Sequence, residues 1–443
     1  MLAQGAIFTI VPAESPMRKS LRHAAARTWP KSVYMEVMRV HSRGKMLTPV
    51  ALFVTAALVA PVASAAISAP TPATDTQAAA EASSPAPSSR VHTFDLGAHH
   101  SDPALGGLSG LAALGEHQFI AISDDKGEFG PTRAYLLTEN PEGTFTVSDE
   151  IHFRDIQGRA LDPEAFDAEE IRVLPNGNLL WSTEGQPDSL SNRAPALIES
   201  SPTGVQVRRI QVPEHHRPNL LRTSGIRINQ GPEAMAISPN GRHIVTLNEN
   251  ALAQDGPLND EQRSSASRLT IYDAETGVAV AEYVVSVDPR YPGASDRGYA
   301  SLDFDDEGNL YALQRGYLPE EGNRGEIIRI ELPAELSPAA EQSTAAPAAT
   351  AAPAAPAAPA ATNVLEKQAL DGSEVPLGRQ VVFDFAEDPA FTPGQGHPDN
   401  IEGLQATGSP SNPEGVRFDL VSDNNFSDSQ RSVIHTLYVS EPQ

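Results

Sequence analysis

The sequence contains no cysteine, which removes a disulfide framework, a thiolate metal site and a thiol nucleophile from consideration. Basic residues are scarce. There are 32 Lys and Arg against 57 Asp and Glu, and the net charge is -25 at pH 7. That balance argues against nucleic acid and anionic membrane surfaces as partners, and it suits a soluble protein that holds divalent cations. Long helical periodicity is missing, so a mainly helical fold is not expected. No Gly-x-Ser-x-Gly elbow occurs; Gly107-Leu108-Ser109-Gly110 is not one, and serine-hydrolase chemistry loses its strand-to-helix context. Only one long apolar run occurs, residues 47–62.

That run reads as the centre of a secretory signal. Arg43-Gly44-Lys45-Met46 precedes it, and Ala63-Ser64-Ala65 supplies a small-x-small cleavage pattern. Residues 1–66 are therefore expected to be an N-terminal extension and signal peptide, with Met35, Met38 and Met46 as alternative starts. The expected destination is periplasmic or secreted, with no membrane span left after cleavage. Residues 67–89 are Ala, Pro, Ser and Thr with almost no large apolar side chain, and read as a disordered linker. Residues 338–362 repeat Ala-Ala-Pro and read as a low-complexity insertion. The folded core is then residues 90–443.

Inside the core the apolar runs are short and bounded by Gly, Pro, Asn and Asp, which is the strand pattern. Five copies of one unit overlay. The first strand is marked by Leu108-Ser109-Gly110-Leu111, Pro163-Glu164-Ala165-Phe166, Pro232-Glu233-Ala234-Met235, Ala300-Ser301-Leu302-Asp303 and Ile401-Glu402-Gly403-Leu404. Turns such as Asn176-Gly177 and Asn240-Gly241 follow, supplying positive φ for hairpins. The second strand ends at Asp124, Glu184, Glu249, Arg315 or Asp423, and the third opens after Arg133, Arg193, Arg268, Arg324 or Arg431. Four strands per repeat predict an all-β fold, a β-propeller of five four-stranded blades. The strand at residues 91–96 is expected to close the ring by completing the fifth blade. A sixth blade is the alternative, if residues 364–385 hide one.

Strand alternation puts the start of strand one, the end of strand two and the start of strand three on one face. Ser109, Glu164, Glu233, Ser301 and Glu402 are expected to form an inner ring there. Asp124, Glu184, Glu249, Arg315 and Asp423 form a second ring, and the five arginines a third. Carboxylates crowded near an axis repel unless a cation or shared protons neutralise them. Oxygen donors of this kind suit Ca²⁺, so Asp124, Glu164, Glu184, Glu233, Glu249, Glu402 and Asp423 are the expected metal ligands. The arginines recur in every blade and are expected to be scaffold. The pattern breaks in blade four, at Ser301 and Arg315, where a positive charge can receive an anionic group.

Gly107-Leu108-Ser109-Gly110-Leu111 with Ile122-Ser123-Asp124-Asp125, Leu161-Asp162-Pro163-Glu164-Ala165 with Ser182-Thr183-Glu184-Gly185, Gly231-Pro232-Glu233-Ala234-Met235, Asp399-Asn400-Ile401-Glu402-Gly403-Leu404 and Leu420-Val421-Ser422-Asp423-Asn424-Asn425-Phe426 resemble the phytase-like domain family, whose members are described as having esterase-like activity. The resemblance implies an exported propeller that hydrolyses phosphoric or other esters with Ca²⁺. Glu164, Glu233, Glu402 and Arg315 would be its catalytic residues, and a small anionic ester the substrate of a monomer. Lysines are almost missing from the core, and Lys126 and Arg315 are the obvious inner-face cations. That departs from propeller phytases and argues against a polyphosphorylated substrate. A non-catalytic binding propeller and a lactonase or carboxylic-ester hydrolase on the same metal ring are the alternatives.

Overall fold

The computed structural model describes residues 90–99, 105–185, 193–319, 321–333, 360–391 and 398–440. The expected signal peptide, the linker at 67–89 and residues 338–359 of the insertion lie outside these. Among the described residues no helix is long and apolar enough to cross a membrane.

Among the described residues, twenty strands form five four-stranded antiparallel sheets. Blade one is β2 (Leu108–Gly115), β3 (Gln118–Ser123), β4 (Arg133–Glu139) and β5 (Phe145–His152). Blade two is β6 (Ala168–Val173), β7 (Leu179–Thr183), β8 (Ala196–Ser200) and β9 (Gln206–Gln211). Blade three is β10 (Ala234–Ile237), β11 (His243–Leu247), β12 (Ser265–Asp273) and β13 (Ala279–Val287). Blade four is β14 (Gly298–Phe304), β15 (Leu310–Leu318), β16 (Gly322–Ile330) and β17 (Arg379–Asp384). Blade five is β18 (Asn400–Gly408), β19 (Val416–Asp423), β20 (Val433–Val439) and, on its outside, β1 (Arg90–Asp95).

The ring closes as expected. β1 pairs antiparallel with β20 from Arg90 opposite Tyr438 to Asp95 opposite Val433. The sixth-blade alternative fails. Arg379–Asp384 is the outer strand of blade four, paired with β16. The residues before it run along the outer edge of blade three, where the Val364 N–H donates to Glu282 O (2.7 Å) and the Leu377 N–H to Val284 O (2.8 Å).

Local sequence explains the hairpins. Gly177, Gly241 and Gly308 turn β6 into β7, β10 into β11 and β14 into β15 with φ of 81°, 68° and 87°, values only glycine adopts freely. Apolar side chains on both faces of the strands then bury at the seams between blades, and a core cluster lies at each of the five. At the seam between blades two and three, Leu180 and Leu197 pack with Met235, Ile244 and Tyr272. Burying such side chains stabilises by about 1.5–3 kcal/mol each.

The axis is filled by one side chain. Arg172 of β6 donates to Leu111 O in blade one (2.6 Å), Leu404 O in blade five (2.8 Å) and Leu302 O in blade four, and pairs with Glu170 at 2.8 Å. It is 3% exposed. Burial is the main cause that raises the Glu170 pKa to about 8, opposed by the arginine. One guanidinium thus bridges the innermost strands of four blades.

Candidate metal and substrate site at the mouth of the ring

The innermost strands do not start cleanly. Their register shifts between Leu108 and Gly110, Ala168 and Ile171, Tyr299 and Ser301, and Ile401 and Gly403. A bulge re-aims the extra residue. The residues so placed are Ser109, Glu169 with Glu170, Ala300 and Glu402. In blade three Glu233 stands just before β10, its N–H donating to Gly231 O. The inner ring is therefore Ser109, Glu169, Glu233, Ala300 and Glu402.

Two expected members are corrected. Glu164 sits in a 3-10 turn (Pro163–Ala165) ahead of β6 and is exposed. Pro163-Glu164-Ala165 imitates Pro232-Glu233-Ala234 in letters, but the blade-two strand begins later, and Glu169 takes the place. Ser301 lies one residue too far along β14; it is buried, donates to Glu170 Oε2 and accepts the Leu404 N–H at 3.0 Å. A positional signal was present. Glu169, Glu233 and Ala300 each stand eight residues before the glycine of their hairpin, Gly177, Gly241 and Gly308.

The other candidates converge. Asp124, Glu184, Glu233, Glu249, Glu402, Asp423 and Arg315 line one cavity of about 260 Å³, together with Glu169, Asp296, Lys126, Asn229, Gln230 and Asn425. Eight carboxylates and two cations share this space. Glu169, Asp296, Asn229 and Gln230 were not foreseen. The last two come from the connection between blades two and three, which no repeat motif marks.

Few of these acids are fully satisfied by protein donors. Glu169 Oε2 accepts from Ser109 Oγ (3.0 Å), Glu249 Oε2 from Gln230 Nε2 (2.6 Å), and Glu184 Oε1 from the Gly231 N–H. Glu402 pairs with Arg315 at 2.5 Å and accepts from Asn400 Nδ2 at 2.9 Å. Asp423 Oδ1 accepts the Asn425 N–H at 2.7 Å. Among the described residues, no donor reaches the carboxylates of Asp124 or Glu233. Lys126 pairs with Asp167 at 2.6 Å.

Burial, then mutual repulsion, pushes the pKa values up. Glu184 rises to about 8 through burial and the charge of Asp167. Glu249 and Asp423 rise to about 7, chiefly through burial, with Arg315 opposing. Asp124, Glu169 and Glu233 are raised well above the usual carboxylate range by burial and by neighbouring carboxylates. Lys126 and Arg315 are raised despite burial by the acids around them, so both stay charged.

The donor set fits a hard cation. All its carboxylates offer oxygen, and no cysteine or histidine lines the cavity. Carboxylate oxygens of Asp167, Glu169 and Glu184 lie within 4.8 Å of one another.

The five arginines behave as scaffold. Arg133 pairs with Asp125 (2.7 Å), Arg193 with Asp162 (3.7 Å), Arg268 with Asp255 (2.6 Å), Arg324 with Glu321 (2.7 Å) and Arg431 with Asp399 (2.8 Å). Arg268 also pairs with Glu282 of β13 at 2.7 Å, and none of these partners belongs to the two inner rings.

Solved structures show the likeness at low identity. A luciferin-regenerating enzyme is 10% identical, with a TM-score of 0.36 over 80% of this chain and 98% of that one. The periplasmic gluconolactonase of Pseudomonas aeruginosa is 13% identical, with a TM-score of 0.28 over 76% and 86%. A gluconolactonase of Xanthomonas campestris is 8% identical, with a TM-score of 0.27 over 73% and 68%. No curated protein matches the chain. The model of the phytase-like family, described as esterase-like activity of phytase, matches residues 103–426. That span holds blades one to four, the first two strands of blade five and the motifs quoted for the resemblance, and the chain belongs to the phytase-like family.

Proposed function

We propose that the protein is a Ca²⁺-dependent ester hydrolase whose site is the cavity at the mouth of the ring. One observation carries this reading: eight carboxylates face two cations in about 260 Å³. Asp124, Glu169, Glu184, Glu249, Glu402 and Asp423 would hold the metal. Bound there, Ca²⁺ supplies positive charge that polarises an ester oxygen and acidifies water.

The chain's own residues do the rest. Arg315, held against Glu402, and Lys126, held against Asp167, receive the anionic part of the substrate. Glu233, with no donor of its own and a raised pKa, is suited to hold and return a proton. Phosphoric esters are favoured over carboxylic esters because both cations point into the cavity. The protein acts as an exported monomer, and N-terminal sequencing of the mature form checks the cleavage near Ala65.

Two measurements test the reading. Thermal melting in EDTA and then Ca²⁺ tests the metal, and an unchanged melting temperature removes it. Turnover of p-nitrophenyl phosphate, p-nitrophenyl acetate and a simple lactone with Ca²⁺ tests the chemistry. Failure of all three leaves a binding propeller.

A further inference from the structure

The mouth of the cavity is not polar throughout. The loop that carries Lys126 into the cavity also carries Phe129, 47% exposed. This exposure is not slackness. The buried Asp125 carboxylate accepts the N–H groups of Gly127 (3.0 Å), Glu128 (2.8 Å) and Phe129 (3.1 Å), and Arg133 Nη1 clamps it at 2.7 Å. Phe129 stacks face to face on Phe426 of blade five, with ring centroids 4.1 Å apart and planes at 10°.

Phe426 and Asn425 both occupy the left-handed region, at φ 49° and 48°. That is a costly backbone for a bulky side chain, and strain of this kind marks functional positions. It is held by Asn424 Oδ1, which accepts the N–H groups of Phe426 and Gly107 at 3.1 Å each. A Cβ at Gly107 would overlap both Asp124 Oδ1 and the Phe426 ring. Ring and metal-site carboxylate therefore meet back to back across that glycine.

A second apolar group stands two blades further round the ring. The connection that supplies Asn229 and Gln230 to the cavity carries Ile228, 44% exposed, and Leu220 and Leu221, 83% and 82% exposed. The turn that presents the two leucines is closed by Arg222 N–H to Asn219 O (2.9 Å) and Thr223 N–H to Asn219 Oδ1 (2.9 Å).

We infer that this rim selects an ester bearing an apolar group. The charged end enters the cavity, and the apolar group lies against Phe129 and the 220–228 connection. The inference rests on the reading that an anionic ester occupies the cavity. A sugar phosphorylated on every side would offer these side chains nothing.

Calorimetric titration with methyl-, butyl- and octylphosphonate in Ca²⁺ tests it, because these probes share a head group and cannot be hydrolysed. A buried methylene is worth about fourfold in affinity. The octyl probe should bind the wild-type protein at least a hundredfold more tightly than the methyl probe. Phe129→Ala should cut that preference at least tenfold and Phe129→Leu should restore most of it. Leu220→Ser with Leu221→Ser should lower it too. Equal affinities across the series, no binding of any probe, or a preference untouched by all these variants would overturn the inference. A failed p-nitrophenyl panel with the chain-length preference intact sinks the hydrolase reading and upholds the rim.

Discussion

At the scale of single residues, two acids five positions apart separate a repeat from its imitation. Glu169 lies in the cavity against Ser109, whereas Glu164 is exposed in the preceding turn. Glu169→Gln should weaken Ca²⁺ binding at least tenfold, read as the Ca²⁺ concentration that half-restores the melting temperature. Glu164→Gln should not move that midpoint, and equal effects would return the inner ring to its sequence-expected register. Glu282 makes a different case. Its oxygens accept from His215 Nε2 (2.8 Å), His216 Nε2 (2.5 Å), Thr270 Oγ1 (2.8 Å) and Arg268 Nη1 (2.7 Å), all buried. These partners offset burial and hold its pKa far below the usual carboxylate range. Glu282→Gln leaves Arg268 with one buried acid fewer, and breaking such a pair costs about 3–5 kcal/mol. Urea unfolding should show that loss as a lower midpoint at unchanged slope.

At the scale of elements, ring closure hangs on β1. It is the outermost strand of blade five and the first of the described strands, so six residues tie the start of the core to its end. Removing residues 90–95 exposes the β20 edge and should broaden the thermal transition and lower its midpoint sharply. A chain that still melts sharply at the wild-type temperature would show that the closure is dispensable. The repeat was legible because hairpin glycines, strand-end acids and strand-opening arginines recur at near-constant spacing, and the closing strand followed from a fifth unit one strand short. The inner ring was less legible. Bulges decide which residue turns to the mouth, and a bulge changes register without changing the composition of the strand. The doubled acid Glu169-Glu170 could be placed only by counting back from Gly177. Asn229 and Gln230 were invisible, since they lie in a connection outside the repeat.

At the scale of the whole molecule, the raised carboxylates set how stability follows pH. Glu184, Glu249 and Asp423 titrate near 8, 7 and 7 in the folded metal-free protein, against about 4 in the unfolded chain. Between those values the native state binds more protons, so stability is fullest below about pH 4 for these groups and is lost as pH rises through 7 to 8. The metal-free melting temperature should therefore fall from pH 5 to pH 8, and the rise on adding Ca²⁺ should be larger at pH 8. A metal-free profile that climbs over that range would contradict the crowding of charge at the mouth.

Arg172 closes the axis of the ring, on the same strand as the cavity's Glu169. With its guanidinium bonded to carbonyls of three other blades, the ring is a cup and not a tube. Traffic then has a single door. On the proposed hydrolase reading, a product backs out before the next substrate enters, and both compete for the same cations. Inhibition by the released acid should accordingly be competitive, with an inhibition constant that tracks the affinity of the head group alone.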